Sequence, residues 1–255
     1  MLLAIDVGNS NTVVGVFDGD ELLEHWRLST DLERTPDELV LALAGFLGFA
    51  GLDLQQQIDG LVAGSVVPTV TEVVREMAHR YLPFRPVIVE PGVRTGISLR
   101  HDHPQDIGAD RIVNAVAAHA RYESAAIVVD FGTATSFDAV SANGAFVGGA
   151  IAPGVHISAE ALVSRAARLP KVETVTPPSP IGRSTVTALQ SGIVYGFAGQ
   201  VDGIVRRIAA ELGGEVTTVA TGGCAPAVLA ACETIDDYDP WLTLDGLRLI
   251  WHRNQ

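Results

Sequence analysis

Two short stretches of the chain have the residue types of a phosphate-binding turn. AIDVGNSNTVVGVFD at 4–18 and VVDFGTATSFD at 128–138 each place an Asp after an apolar run, a Gly two residues later, and then hydroxyl or amide residues. A Gly lets backbone N–H groups approach a ligand closely, because no Cβ intervenes. Hydroxyl and amide side chains would add donors for phosphate oxygens, and the carboxylates of Asp6 and Asp130 suit a cation, directly or through water.

The spacing of the two stretches indicates an internal duplication. Asp130 follows Asp6 by close to half of the 255-residue chain. A single Asp-x-Gly is more often a structural turn whose carboxylate accepts backbone hydrogen bonds, but two copies at this spacing favour a shared function. We therefore expect two similar lobes, 1–115 and 116–255, rather than a solenoid, whose repeats are much shorter. Two such turns facing across a cleft would hold a triphosphate from both sides.

The elements that must position these turns are those of an α/β protein. Strands are expected at about 2–8 and 11–18, with the first turn between them. Thr35 and Glu38 have the spacing of a capping box and predict the start of a helix. The second half restarts as strand, turn and strand, and a long helix is expected over about 185–212.

A third element has the features of a nucleotide site. VATGG at 219–223 is an apolar strand that ends in the paired glycines Gly222 and Gly223. A nucleoside could lie flat on the exposed backbone there.

Charge and composition exclude several classes of function. The net charge is −13 and the pI is near 4.8, which disfavours nucleic acid and anionic membranes as partners, since both are bound through clustered Lys and Arg. Lys171 is the only lysine, and it has no Gly-rich loop before it. A P-loop NTPase and a Schiff-base enzyme are therefore not expected.

The chain has the features of a cytoplasmic protein. Cys224 and Cys232 are eight positions apart, which fits reduced thiols better than a disulfide or metal site. The N-terminus reaches Asp6 without the positive region or cleavage site of an export signal. The apolar runs are broken well short of the roughly 20 residues that a bilayer requires.

The combination of two phosphate turns and a glycine pair resembles the acetate and sugar kinase, Hsp70 and actin superfamily, whose two lobes are ribonuclease H-like. Within it, the order and spacing of six stretches are similar to type III pantothenate kinases: DVGNSNT, GADRIVNAVAA, DFGTATSFD, GGAIAPG, IGRSTVTALQSGIVYG and ATGG. The resemblance implies two such lobes with mixed sheets flanked by helices. It also implies ATP-dependent phosphorylation of pantothenate to 4′-phosphopantothenate, the first step towards coenzyme A, by a homodimer that needs Mg²⁺ and a monovalent cation, K⁺ or NH₄⁺.

The resemblance assigns roles to individual residues. It implies that Asp110 is the base that accepts the hydroxyl proton of pantothenate, ionised at a helix N-terminus; without it, an acidic residue that favours the helix dipole would be the better interpretation. Arg111 would bind pantothenate or the transferred group, or form an ordinary salt bridge. Asp130 would bind the monovalent cation and Asp6 the Mg²⁺, directly or through water.

The remaining assignments form two sets. The substrate set is Gly108, Ala109, Asp110, Arg111 and Thr185, the last of which could equally be a helix cap. The ATP set is Asp6, Val7, Gly8, Asn9, Ser10, Asn11, Thr12, Val13, Gly132, Thr133, Gly222 and Gly223.

The sequence departs from the family within HDHPQD. The family has a Tyr, an Asn and a Glu where this chain has His101, His103 and Asp106, which puts an expected contact between that Tyr and pantothenate in doubt. The stretch also resembles a metal cluster, but a bound transition metal is the less favoured interpretation. Ser10, Ser136 and Ser184 replace residues that are usually Thr, Thr and Asn.

Four glycines recur along the long predicted helix, at Gly192, Gly196, Gly199 and Gly203. Each is unfavourable in a helix, so close packing is expected, either across a dimer interface or against the sheet of the same subunit.

Two alternatives to the kinase stay open. One is a nucleotide-binding regulatory relative without kinase activity, which the altered HDHPQD stretch allows. The other is a different phosphotransferase or phosphohydrolase of the superfamily, such as a sugar kinase or a polyphosphatase.

Overall fold

The computed structural model describes residues 1–166 and 168–255. The strands in chain order are β1 Leu2–Val7, β2 Asn11–Asp18, β3 Glu21–Ser29, β4 Gly60–Ser65, β5 Val87–Ile88, β6 Ser98–Leu99, β7 Ala125–Phe131, β8 Ala134–Val140, β9 Ala145–Pro153, β10 Val216–Thr221 and β11 Asp237–Tyr238. The α-helices are α1 Pro36–Phe49, α2 Pro68–Tyr81, α3 Ala109–Arg121, α4 Val155–Arg165, α5 Thr185–Leu212, α6 Pro226–Leu229 and α7 Leu242–Arg253, and a 3-10 helix spans Pro104–Asp106.

The chain divides into two compact units. Unit 1 contains Met1–Ile97, Asp102–Ala117 and Leu242–Gln255, and unit 2 contains Ser98–His101 and Ala118–Trp241. The units differ from the predicted lobes, 1–115 and 116–255, chiefly at α7, which belongs to unit 1.

Strand glycines explain why α7 packs in unit 1. A Cβ at Gly15 would lie 2.7 Å from Leu244 Cδ1, and one at Gly60 would lie 2.3 Å from the Trp251 ring. Because Gly15 and Gly60 have no side chains, the two strands leave room for Leu244 and Trp251 of α7. No periodicity within the last helix reveals that partner.

The sheet of unit 1 has the order β3-β2-β1-β4-β5. The first three strands are antiparallel neighbours, whereas β4 runs parallel to β1 and β5 runs parallel to β4. Nearly every residue of β1 is buried, as expected for a central strand whose sheet is covered on both faces.

The sheet of unit 2 repeats this order. Its strands run β11-β10-β7-β8-β9-β6, so β9-β8-β7-β10-β11 corresponds strand for strand to β3-β2-β1-β4-β5. The pairing directions agree as well, with β7, β8 and β9 antiparallel and β10 and β11 parallel to β7. β6 is an addition that pairs with β9. The predicted α/β fold, with two mixed sheets flanked by helices, is confirmed.

Each unit has its own apolar core. In unit 1, Leu43, Leu47 and Met77 of α1 and α2 are fully buried in a cluster with β1, β2 and β4. In unit 2, Phe137 and Val201 belong to a cluster formed by β7, β8, α5 and α6. Each such side chain contributes about 1.5–3 kcal/mol to stability on burial.

Helix termini follow the predicted chemistry. Thr35 and Glu38 form the predicted capping box at α1. The predicted long helix is α5, with the predicted bounds. Within the described parts of the chain, no helix combines the length and apolar character needed to cross a membrane.

Candidate active site

The first Asp-x-Gly turn joins β1 to β2 and is braced by hydroxyl groups. The Gly8 N–H donates to the Asn11 carbonyl over 3.0 Å. The hydroxyls of Thr12 and Thr30 are 2.9 Å apart, and Thr30 Oγ1 donates to the Gly8 carbonyl over 2.7 Å. Thr12 is therefore buried beneath the turn, and its neighbours on the turn are exposed: Asn9, Ser10 and Asn11.

The second turn joins β7 to β8 in unit 2. The Gly132 N–H donates to the Ala134 carbonyl, two residues on, over 3.0 Å, whereas the Gly8 N–H of the first turn bonds three residues on. Thr133 is exposed, and its carbonyl accepts the Gly154 N–H over 3.2 Å. The duplicated motif thus forms two turns that are each closed by the N–H of the Gly, the second one residue shorter than the first.

The glycine pair lies beside the second turn. Thr221, at the end of β10, is the register partner of Asp130. Gly222 follows with φ +93°, and a Cβ there would lie 2.5 Å from Asp130 Oδ1 and 2.7 Å from the Phe131 backbone. Gly223 is exposed. The structure therefore brings the Asp130 carboxylate, the second turn and the glycine pair together within unit 2.

In unit 1, the start of α3 lies at the sheet edge that carries Asp6. Asp6 is the register partner of Gly64 in β4, and a Cβ at Gly64 would lie 4.0 Å from the Ala109 Cβ. The next residue is Asp110, whose Oδ1 accepts the Arg111 N–H over 2.8 Å. The candidate base and the carboxylate of the first turn are thus positioned by neighbouring elements.

The pKa of Asp110 is raised above its ordinary value, because burial of the carboxyl group disfavours the charged form. The Arg111 N–H and the Arg111 guanidinium charge lower the pKa but do not offset the burial. The expectation that Asp110 is ionised at the helix N-terminus stays a prediction, because a raised pKa does not by itself make the carboxyl group neutral. A base whose pKa lies nearer to neutral pH is better matched to accept a proton.

Sequence comparison decides between the open alternatives. The sequence profile described as "Type III pantothenate kinase" matches residues 2–207. This chain belongs to the type III pantothenate kinase family. The family member from Streptomyces coelicolor is 56% identical over 261 residues, covering 100% of this chain and 98% of the relative. The one from Moorella thermoacetica is 52% identical over 254 residues, covering 100% of both chains.

A solved structure supports the fold. The activator of the 2-hydroxyisocaproyl-CoA dehydratase from Clostridium difficile with bound ADPNP superimposes with a TM-score of 0.57 at 13% identity. The alignment covers 99% of this chain and 94% of that chain.

The remaining candidate residues from the sequence are Thr185 and the two histidines of the HDHPQD stretch. Thr185 is the exposed first residue of α5, but the cap is Ser184, which forms a capping box with Thr187. The interpretation of Thr185 as the cap is therefore wrong. His101 and His103 are exposed and belong to different units. Among residues 1–166 and 168–255, no group of three His, Cys, Asp or Glu side chains is arranged to bind a metal.

Two residues of the turns were missed by sequence reasoning. Thr30 follows β3 at a position that no motif marks, although its hydroxyl braces the first turn. Gly154 lies within the quoted GGAIAPG stretch, so a signal for it existed. Its importance is visible only in the structure, where a Cβ would lie 2.2 Å from the Thr133 carbonyl oxygen.

Replacing Gly108 with Ala is expected to lower kcat by about 10- to 100-fold. The added Cβ would lie 2.4 Å from Asp110 Oδ1 and 3.3 Å from Val66 Cγ1, so the carboxylate has to move. Steady-state kinetics and calorimetric binding of ADPNP·Mg measure the effect, and nucleotide affinity should stay unchanged.

Gly45→Ala in α1 is the matched control, because no atom lies within 4 Å of its added Cβ. It should keep full activity and gain up to about 1 kcal/mol of helix stability. Equal kcat values for the Gly108 and Gly45 variants would show that the Asp110 position is not critical.

Proposed function

We propose that this chain transfers the terminal phosphoryl group of ATP to the 4′-hydroxyl of pantothenate, the first step of coenzyme A biosynthesis. Family membership along nearly the whole chain supports the reaction. The observation that carries the proposal is the placement of Asp110. Its partly buried carboxyl group has a raised pKa and lies at the sheet edge of the first phosphate turn.

In this proposal each Asp-x-Gly turn binds phosphate oxygens of ATP. Asp6 to Val13 span the first turn and the adjoining strand ends, and Gly132 and Thr133 belong to the second turn. The exposed side chains of Asn9, Ser10, Asn11 and Thr133, together with the closely approachable backbone, provide the donors that phosphate oxygens need. Gly222 and Gly223 would contact the nucleoside through the backbone.

The residues beside Asp130 fit a cation. A Cβ at Gly222 would lie 2.5 Å from Asp130 Oδ1, so the glycine keeps a side chain away from this carboxylate. Carboxylate, carbonyl and hydroxyl oxygens are suitable ligands for hard cations. We assign Asp130 to the monovalent cation, K⁺ or NH₄⁺, and Asp6 to Mg²⁺ through water. These ions would supply charge neutralisation along the phosphate chain.

Asp110 and Arg111 would act on pantothenate. Asp110 accepts the proton of the attacking hydroxyl, and Gly108, Ala109 and Thr185 contribute to the substrate site. Arg111 can bind a carboxylate or a phosphoryl oxygen through two parallel hydrogen bonds. Since phosphoryl transfer has a loose transition state, the main contribution of these groups is positioning rather than strong basicity.

The exposed face of α5 supports a homodimer, and we place this enzyme in the cytoplasm. A Cβ at Gly192, Gly196 or Gly199 would meet no atom within 4 Å, so these three glycines do not pack against the described parts of their own subunit. The alternative of packing against the subunit's own sheet is therefore wrong for them. Ile181, Val186 and Tyr195, on or near this helix, are also exposed, and a second copy of the chain is the partner we propose.

A coupled assay of ADP release tests the function. Turnover should require pantothenate and Mg²⁺ and should increase with K⁺ or NH₄⁺ at constant ionic strength. Parallel reactions with glucose, or with polyphosphate in place of ATP, test the sugar kinase and polyphosphatase alternatives. ATP hydrolysis that does not depend on pantothenate would contradict the proposal.

A further inference from the structure

The last helix of the chain, α7, packs against the helix that carries the candidate base. A Cβ at Gly246 of α7 would lie 2.2 Å from the Val113 carbonyl oxygen and 2.7 Å from Val113 Cγ1 of α3. A Cβ at Gly64 of β4 would lie 3.2 Å from Leu247 Cδ2 and 3.7 Å from Val113 Cγ2. The start of α3 is therefore enclosed by α7 and β4, and all three elements meet within unit 1.

A buried hydrogen bond joins the two helices one residue further along α3. The Thr243 hydroxyl donates to Asn114 Oδ1 over 2.8 Å, and the Asn114 side chain is fully buried. Asn114 follows Asp110 by four residues, so the two side chains lie on one face of α3, about one turn apart. The bond from α7 thus reaches α3 on the face of the candidate base.

The other buried contacts of α3 give little steric control over its exact position. Ala115 and Ala117 are buried but small, and β4 and α7 place glycines, Gly64 and Gly246, beside Val113. Such small residues let the elements approach closely, but they form shallow ridges, so a shift along the helix axis meets little resistance. A buried hydrogen bond is directional and specifies one arrangement. The bond between α7 and α3 is therefore the contact that defines where α3 lies.

Other contacts hold α7 in place independently of α3. Arg248 forms an ion pair with Asp20 in the turn between β2 and β3. Asn254, just after the helix, donates its side-chain N–H to the Arg94 carbonyl over 2.9 Å and accepts the Arg94 N–H over 3.2 Å. The six sequence stretches that carry the family resemblance all end before α7 begins. α7 is thus a fixed support whose role no motif marks.

We propose that Thr243 is a positioning residue for the phosphoryl transfer: its hydrogen bond to Asn114 fixes α3 so that the Asp110 carboxyl group meets the attacking hydroxyl of the substrate. The inference rests on the proposed function, since it names what holds the proposed base in place. Thr243 acts through Asn114 and does not touch the substrate. A displacement of about 1 Å at a reacting group can lower the rate by about 100-fold, so a small shift of α3 is sufficient to matter.

Thr243→Val tests the inference, because Val has nearly the shape of Thr and lacks only the donor. The kcat for pantothenate phosphorylation should fall by about tenfold, since Asp110 is no longer held in one position. The KM for ATP and the calorimetric affinity for ADPNP·Mg should stay unchanged, because both phosphate turns are intact. Thr243→Ser keeps the hydroxyl and should restore kcat.

The ionisation of Asp110 provides a readout that a loss of stability alone does not move. Burial raises the pKa of this carboxyl group, and the Arg111 guanidinium, which lowers the pKa, is present in every variant. A less tightly held α3 admits water to the carboxyl group, so its pKa should fall towards the ordinary value in Thr243→Val and return in Thr243→Ser. A ¹³C NMR titration without substrate measures the pKa, with Asp110→Asn to assign the signal.

Leu244→Val is the matched control within α7. Leu244 faces β2 rather than α3, since a Cβ at Gly15 would lie 2.7 Å from Leu244 Cδ1. The smaller side chain should lower the Tm by a few degrees and leave kcat and the Asp110 titration unchanged. Three results would each overturn the inference: wild-type kcat in Thr243→Val, an unchanged Asp110 titration in that variant, or an equal loss of kcat in Leu244→Val.

The inference and the proposed function fail in different ways. If wild-type protein shows no pantothenate-dependent turnover, the function is wrong, while an Asp110 titration that shifts in Thr243→Val and returns in Thr243→Ser still shows that Thr243 positions this carboxyl group. If wild-type turnover is normal and Thr243→Val keeps the same kcat, the function stands and the inference is wrong.

Discussion

Replacing Asp110 with Asn is expected to lower kcat for pantothenate phosphorylation by about 10²- to 10⁴-fold, the usual contribution of a general base. Asn keeps the size of the side chain and its ability to accept the Arg111 N–H, which is 2.8 Å from Oδ1 in the wild-type protein. It cannot take up the proton of the attacking hydroxyl. Steady-state kinetics with saturating ATP and pantothenate measure the loss.

The same variant should be more stable than the wild-type protein at neutral pH. Burial raises the pKa of Asp110 above its ordinary value of roughly 4, so ionisation of this group opposes folding. Its contribution to stability is therefore most favourable below the ordinary pKa and decreases as the pH rises through the raised pKa. Asn removes this penalty. The difference in Tm between variant and wild type should be present at neutral pH and disappear in acid.

These two readouts separate catalysis from structure. A variant with low kcat and increased stability at neutral pH identifies Asp110 as a base that is kept in an unfavourable environment. Unchanged kcat would eliminate Asp110 as the base. A loss of stability at neutral pH would instead indicate that the carboxylate is a structural acceptor, and the kinetic loss would then have to be attributed to misfolding.

Replacing Gly222 with Ala should have the largest effect on the second turn. A φ of +93° is unfavourable for Ala by about 1–2 kcal/mol. The Cβ would also lie 2.5 Å from Asp130 Oδ1 and 2.7 Å from the Phe131 backbone, and such overpacking typically adds about 1–3 kcal/mol. Because the Asp130 carboxylate must shift, kcat should fall by about 10²-fold, and the stimulation by K⁺ should be lost.

Gly214→Ala is the matched control for the backbone strain. Gly214 also has a positive φ, +71°, but no atom lies within 4 Å of its added Cβ. Chemical denaturation should show the strain cost in both variants and the additional steric cost only in Gly222→Ala. Steady-state kinetics should show a loss of activity only in Gly222→Ala. If both variants lost stability equally and kept K⁺ stimulation, Gly222 would be a turn glycine without a role at Asp130.

The local chemistry of the site could be predicted from the sequence because it depends on neighbouring residues. The two Asp-x-Gly turns, the capping box of Thr35 and the long helix α5 are each encoded within a short stretch. The duplication could be inferred from the spacing of Asp6 and Asp130, and the repeated strand order agrees with it.

The features that were not predicted depend on contacts between distant residues. Burial of Asp110 is set by the elements that pack around it, and it reverses the direction expected from the helix N-terminus alone. The packing of α7 in unit 1 depends on Gly15 and Gly60, which have no visible relation to the last helix in the sequence. The pairing of Thr12 with Thr30 likewise joins two strands that the turn motif does not include.

Direct detection of the product tests the central claim. The protein is incubated with ATP, Mg²⁺, K⁺ and pantothenate, and the reaction is followed by ³¹P NMR and mass spectrometry. 4′-Phosphopantothenate should form in amounts equal to the ADP released, and it should be nearly absent with Asp110→Asn. ADP without phosphorylated pantothenate, or equal product from both proteins, would contradict it.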